Sequence, residues 1–226
     1  MKSFLRSEWI TLWIILFSLC AQAHERPWEL IKEESGIEIY RREVVGSPVL
    51  AFKGESLIDA SIEQIAGVIF DSKNAPQWVA DLAEARIVRW LGPDEFIEYD
   101  HFKTPSWITS DRDFVSRVKI EVDPKTHVVT FRYRSVTDPS LPETRYVRGE
   151  LIGSVFRLEP RDGGRQTYLT GEIHCDPKGA IPKWLANWAQ KGWPLKTIKN
   201  LRARVAQSKT QADPRILELL TGKPRL

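Results

Sequence analysis

Residues 176–205 place the strongest constraint on the fold, because they read as a turn leading into a long helix with one apolar face. Asp176-Pro177-Lys178-Gly179 is turn chemistry: proline fixes φ, aspartate accepts local backbone bonds and glycine takes whatever φ remains. Pro182 suits a first helical turn, where its missing N–H removes a donor that would lack a partner anyway. Ile181, Leu185, Trp188, Gly192, Leu195, Ile198 and Val205 then recur at three, four or seven residues, the spacing of one helical face. Lys199, Arg202 and Arg204 gather at the far end, where cations favour the negative pole of the helix dipole. Pro194 removes an internal hydrogen bond and predicts a kink near residues 190–193. A helix with one apolar face must bury it against another layer.

The preceding sequence supplies that layer. Pro27-Trp28-Glu29-Leu30-Ile31-Lys32 reads as a short helix stopped at Ser35-Gly36. Residues 37–45 alternate as a half-buried strand does, and Gly46-Ser47-Pro48 turns them into a second strand, 49–57. Ser61 and Gln64 form a capping box for a helix that buries Ile62, Ile65, Ala66 and Ile69. Another short helix opens at Asn74-Ala75-Pro76. Six antiparallel strands follow at 84–90, 95–102, 112–122, 127–136, 144–158 and 165–175, separated by Gly-, Pro- and Asp-rich turns. Two connections, 103–111 and 137–143, are longer. After Gln207 the tail is polar, with a last short helix starting at Asp213-Pro214. Consecutive hairpins closed by an amphipathic helix imply an α+β architecture, a curved antiparallel sheet covered by that helix. Such a pair encloses a cavity unless large side chains fill it.

Composition narrows the function. A formal net charge of +3 is too small and too dispersed to point to nucleic acid. Nine tryptophans in 226 residues serve as core bulk, line an apolar pocket or sit at a membrane surface. Lys2 and Arg6 precede an apolar run, 9–20, and Ala21-Gln22-Ala23 has the form of a cleavage site. Residues 1–23 thus read as a signal peptide, 24–207 as the folded domain and 208–226 as a tail; the alternative is an uncleaved N-terminal anchor. Removal of the signal leaves Cys175 alone, so the exported protein has no internal disulfide. Export without disulfides favours a periplasm, with secretion or membrane anchoring as alternatives. His174-Cys175-Asp176 does not suit a metal, since consecutive strand residues point to opposite faces. G-x-S-x-G, P-loop and G-x-G-x-x-G patterns are absent, and no cofactor is expected.

Three further stretches, Ser110-Asp111-Arg112-Asp113-Phe114-Val115, Val147-Arg148-Gly149-Glu150 and Asp176 through Leu185, occur in an order that resembles the steroidogenic-acute-regulatory-protein-related lipid-transfer (START) domain. Pro76-x-Trp78, Pro194-Leu195-Lys196-Thr197 and Leu201-Arg202 fit the same pattern, which runs from about Trp28 to Val205. The resemblance implies a helix-grip fold, non-covalent binding of one lipid or sterol-like molecule in a tunnel, and no catalysis. It also implies a tunnel mouth built from the two long connections and the C-terminal helix. Trp107 and Ile108, with Leu141 on the second connection, would then contact a membrane transiently. Sterol-binding relatives carry a buried arginine four residues after the signature Phe; here Val118 stands there, which leaves a more apolar ligand equally open.

By alternation, Phe114, Ser116, Val118, Phe131 and Tyr133 are candidate ligand-lining residues on the strands. Leu185, Trp188, Leu195 and Ile198 are the candidates on the helix. For residues 95–102 the preferred register buries Ile97, Tyr99 and His101 and turns Glu98 and Asp100 to solvent; Phe96 and Phe102 argue for the reverse. Arg112 and Asp113 read as structural ties or as contacts to a ligand head group. The function expected is lipid binding and transfer by a monomer. An enzyme on the same scaffold, favoured by a polar pair inside the cavity, and a module holding a partner segment are the alternatives.

Overall fold

The computed structural model describes residues 26–104, 109–208 and 214–221. The expected signal peptide, and Trp107 and Ile108, lie outside the described residues. The strands are β1 (Glu29–Glu34), β2 (Ile37–Arg42), β3 (Ala51–Ile58), β4 (Leu82–Gly92) and β5 (Glu95–Phe102). They continue with β6 (Arg112–Val122), β7 (Val129–Ser135), β8 (Val147–Arg148), β9 (Glu150–Arg161) and β10 (Gln166–Asp176). One curved sheet results, ordered β1-β2-β3-β10-β9-β7-β6-β5-β4, with the short β8 lying parallel beside the start of β6. Helices α1 (Ile62–Phe70) and α3 (Trp193–Gln207) pack on its inner face, α2 (Lys183–Lys191) leads into α3, and α4 (Pro214–Thr221) packs against α1. None of the described helices is long and apolar enough to cross a membrane.

Local chemistry formed much of this as expected. The amide of Gln64 donates to Ser61 Oγ at 3.4 Å, and the Ser61 amide donates to Gln64 Oε1 at 3.0 Å, so the capping box is complete. Ile62, Ile65, Ala66 and Ile69 are buried. In the turn after β10, the Lys178 amide donates to Asp176 Oδ1 at 3.0 Å, while Lys178 and Gly179 take left-handed φ of 51° and 69°.

Three elements differ. The segment expected as a first helix is strand β1, because Ser35 (φ 56°) and Gly36 (φ 66°) are both left-handed. That pair is the type I′ geometry that closes a two-residue hairpin, and it joins β1 to β2. The strand expected over 144–158 is broken at Gly149, where a Cβ would overlap the Phe114 ring. The long C-terminal helix is two helices: α2 ends at Gly192 and α3 restarts with Pro194 in its first turn. Pro194 has no N–H to give the preceding turn, so the break falls where the kink was expected.

Helix α3 sits close on the sheet because Gly54 has no side chain. A Cβ there would lie 2.6 Å from Ile198 Cδ1 and 2.9 Å from Pro194 Cβ. Ile198, Leu201 and Val205 are buried against that surface. Arg202 fastens the far end, donating to the carbonyls of Ser35, Gly36 and Leu57 at 2.7–3.0 Å and to Ser56 Oγ.

Candidate ligand-binding site

Strand β5 determines the polarity of the space under the helices. Its pairing aligns Phe96 with Val118, Glu98 with Ser116, Asp100 with Phe114 and Phe102 with Arg112. Paired residues share a face, so Glu98 and Asp100 point inward with the two phenylalanines, the reverse of the preferred register. Aromatic anchors hold both ends. Phe96 packs 5.0 Å from Trp90 and 5.8 Å from Phe70, and Phe102 meets Phe114 edge-on at 5.6 Å. The outer face is covered too: Ile97, Tyr99 and Val115 form a second cluster with Val88, Val136 and Leu141. With apolar shelter on both sides, burying Ile97 and Tyr99 no longer requires that the carboxyls face water.

Glu98 and Asp100, each 8% exposed, border a cavity of about 80 Å³ with Phe102, Tyr133, Ser154 and Phe156. Trp78 forms another part of its wall, and Trp193, the first residue of α3, closes it from the helix side, 6.1 Å from the Phe156 ring. Ser72 Oγ donates to Glu98 Oε1 at 3.1 Å. Burial pushes the Glu98 carboxyl up to about 7. Burial, and then the Glu98 charge, raise Asp100 well above the usual carboxylate range, and Tyr133 is raised by the same two effects together with Asp100. No lysine, arginine or histidine lines the cavity. The indole N–H groups of Trp78 and Trp193 and the hydroxyls of Ser116 and Ser154 are buried without a hydrogen-bond partner. The cavity is thus apolar overall, with three acidic residues (Glu98, Asp100 and Glu172) and several idle donors at its edge.

Arg112 and Asp113, at the start of β6, are both engaged by protein groups. Arg112 donates to the carbonyl oxygens of Pro177 and Lys178 at 3.1 and 3.2 Å, to Thr109 Oγ1 at 3.0 Å and to the Ser110 carbonyl. It ties the start of β6 to the turn before α2. Asp113 is fully buried and takes two bonds from Arg148, at 2.8 and 3.2 Å, and one from Thr144 at 2.8 Å. Outside this clasp a groove of about 610 Å³ runs along α2, lined by Leu185, Trp188 and Leu195 with Lys103 and Lys191.

The expected lining residues therefore separate. Tyr133 borders the cavity; Phe114, Ser116, Val118, Phe131 and Ile198 are buried on the same inner side and form the packed core around it. Leu185 and Leu195 lie in the outer groove. Trp188 does not face the sheet: it is 64% exposed, and Trp184, one turn earlier, is 71% exposed. The break at Gly192 turns α2 away from the surface that α3 follows, which carries Trp188 outward. Leu141 packs on the outer face of the sheet, against the cluster of Ile97, Tyr99 and Val115. Sequence reasoning missed Trp78, Trp193, Ser154 and Phe156, and it turned Glu98 and Asp100 the wrong way. The alternation Phe96-x-Glu98-x-Asp100-x-Phe102 was the available signal. Cys175 is buried and its thiol is pushed up to about 12 by burial, so it is not a reactive thiolate. Among the described residues no cluster of His, Cys, Asp or Glu is placed to hold a metal.

The START domain family model matches residues 16–211. An uncharacterized protein of Pseudomonas aeruginosa is 30% identical over 190 residues, covering 83% of this chain and 91% of its own. Human phosphatidylcholine transfer protein is 29% identical over 187 residues, covering 80% of this chain and 84% of its own. Among solved structures, a STAR-related lipid transfer protein fragment from Xanthomonas axonopodis has a TM-score of 0.70 at 31% identity, covering 80% of this chain and 99% of that one. Human StAR-related lipid transfer protein 5 has a TM-score of 0.74 over 80% of this chain and 86% of its own; at 19% identity it bears on the fold alone. The curved sheet gripping a C-terminal helix, the ordered motifs along nearly the whole domain and these matches agree: the chain belongs to the START domain family.

Proposed function

We propose that the protein binds one lipid or sterol-like molecule non-covalently between the sheet and α2–α3, and carries it between membranes as an exported monomer. The observation that carries this reading is the mostly apolar cavity between the sheet and Trp193, the residue at which α3 begins after the break. The lipid-transfer proteins among its relatives support it. At about 80 Å³ the cavity is well below the roughly 300–1,000 Å³ of a ligand pocket, so loading requires the roof to move. Gly192 is the natural hinge, because α2 and α3 already part there and Trp193 would leave the cavity as they separate. The outer groove along α2 offers the path of entry.

Membrane contact would fall to α2, which exposes Trp184 and Trp188 on one face beside Lys183 and Lys191, a pattern suited to the interface of a bilayer. Trp107 and Ile108, which lie outside the described residues, are the further membrane contacts that the resemblance implies. Native mass spectrometry of the purified protein, followed by organic extraction, tests the reading. A stoichiometric co-purifying lipid is expected; an empty protein that takes no lipid from vesicles of any composition would reject it.

Glu98 and Asp100 favour a second reading, since two carboxyls of raised pKa on one wall of a pocket can serve as general acid and base. The two readings part on the fate of the ligand. A bound molecule recovered with unchanged mass supports transfer, whereas a product whose formation stops in Glu98→Gln supports catalysis.

A further inference from the structure

We propose that Glu98 and Asp100 are the polar end of the ligand site and restrict it to lipids whose buried polar group is an alcohol or an amine, excluding carboxylate and phosphate. The inference rests on the lipid-binding reading and narrows its substrate class. The two side chains lie two residues apart on one strand face, both buried, and both border the cavity. No basic side chain lines that space. Val118, on the inner face opposite Phe96 and Tyr133, brings no charge, and Arg112 is committed to the carbonyl oxygens of Pro177 and Lys178. An anionic ligand group brought here would be a further acid in a medium of low dielectric, where repulsion is strong and water cannot relieve it.

An alcohol or ammonium group meets the opposite situation. It donates to the carboxyls, which otherwise have Ser72 Oγ as a donor to Glu98. A second observation is independent of the acids. Trp78, 2% exposed, lines the cavity with an indole N–H that has no partner, and the Trp193 N–H and Ser154 hydroxyl beside the same space are idle as well. Buried donors of this kind are satisfied in almost all folded proteins. A ligand oxygen would satisfy one while its hydrogen goes to a carboxyl. For an amine, the rings of Trp78, Tyr133 and Phe156 around the acids provide cation–π attraction.

The test uses four probes with the same sixteen-carbon chain: hexadecanol, hexadecylamine, palmitate and hexadecyl phosphate. Binding to the full chain is measured at pH 7 as one-to-one complexes. The alcohol and the amine are expected to bind at least about tenfold more tightly than either anion. In Glu98→Gln/Asp100→Asn the anions should gain until the difference is within about threefold. An anion that binds the wild type as tightly as hexadecanol overturns the assignment, as does an unchanged ratio in the variant. If the variant does not fold, the wild-type ratio decides. Uptake of phosphatidylcholine from vesicles with neither the alcohol nor the amine bound would sink this inference alone; failure to take up any lipid would sink the lipid-binding reading with it.

Discussion

Replacing Glu98 by glutamine keeps the side-chain shape and an oxygen for Ser72, and deletes a carboxyl that burial has made a poor acid. In the unfolded chain that carboxyl ionises near its ordinary 4.5, and in the folded chain near 7. Between those values the native state retains a proton that the unfolded state has already released. Raising the pH through this window therefore removes stability, and the full benefit exists below about 4.5. The difference, at 1.36 kcal/mol per unit, is about 3 kcal/mol. Asp100, Tyr133 and Glu172 are the other titratable groups at the cavity wall, and no cation there offsets the effect. For a domain of this size 3 kcal/mol corresponds to roughly 6–12 °C in Tm. Thermal unfolding of the ligand-free protein and of Glu98→Gln, followed from pH 5 to pH 8, reads it directly. The variant should match the wild type near pH 5 and become progressively more stable than it toward pH 8. Parallel curves across the range would show that Glu98 is not desolvated in the folded state, and the account of the cavity would fail with it.

Other perturbations address the helices. Gly54→Ala places a methyl group against Ile198 and Pro194 and should cost about 1–3 kcal/mol of stability, seen as a lower denaturant midpoint; an unchanged midpoint would mean that α3 does not rest on β3. Pro194→Ala restores an amide donor where the helix divides and should slow lipid transfer between vesicles without lowering stability, whereas unchanged transfer would place the moving joint elsewhere. Trp184→Ser/Trp188→Ser should weaken vesicle association by roughly tenfold and leave lipid stoichiometry intact; loss of stoichiometry with normal association would assign these residues to the ligand and not to the membrane.

Much of this architecture is written locally. The Ser61–Gln64 capping box, the Asp176–Gly179 turn and the buried face of α1 are decided by neighbours within a few residues, so the sequence alone determines them. The ordered motifs were enough to indicate the family, and Pro194 was enough to locate the break in the last helix. Tertiary structure decided what depends on distant partners. Ser35-Gly36 stops a helix or closes a hairpin equally well, and β1 exists because β2 is there to pair with it. Trp188 carries an inward spacing only if the helix runs straight through Gly192. Strand β5 shows the limit most clearly: Ile97 and Tyr99 are a convincing inner face until the 137–143 connection covers them from outside. Alternation tells which residues share a face. Which face is sealed under helices, and therefore that Glu98 and Asp100 enter the cavity as weak acids, is set by packing between elements far apart in the chain.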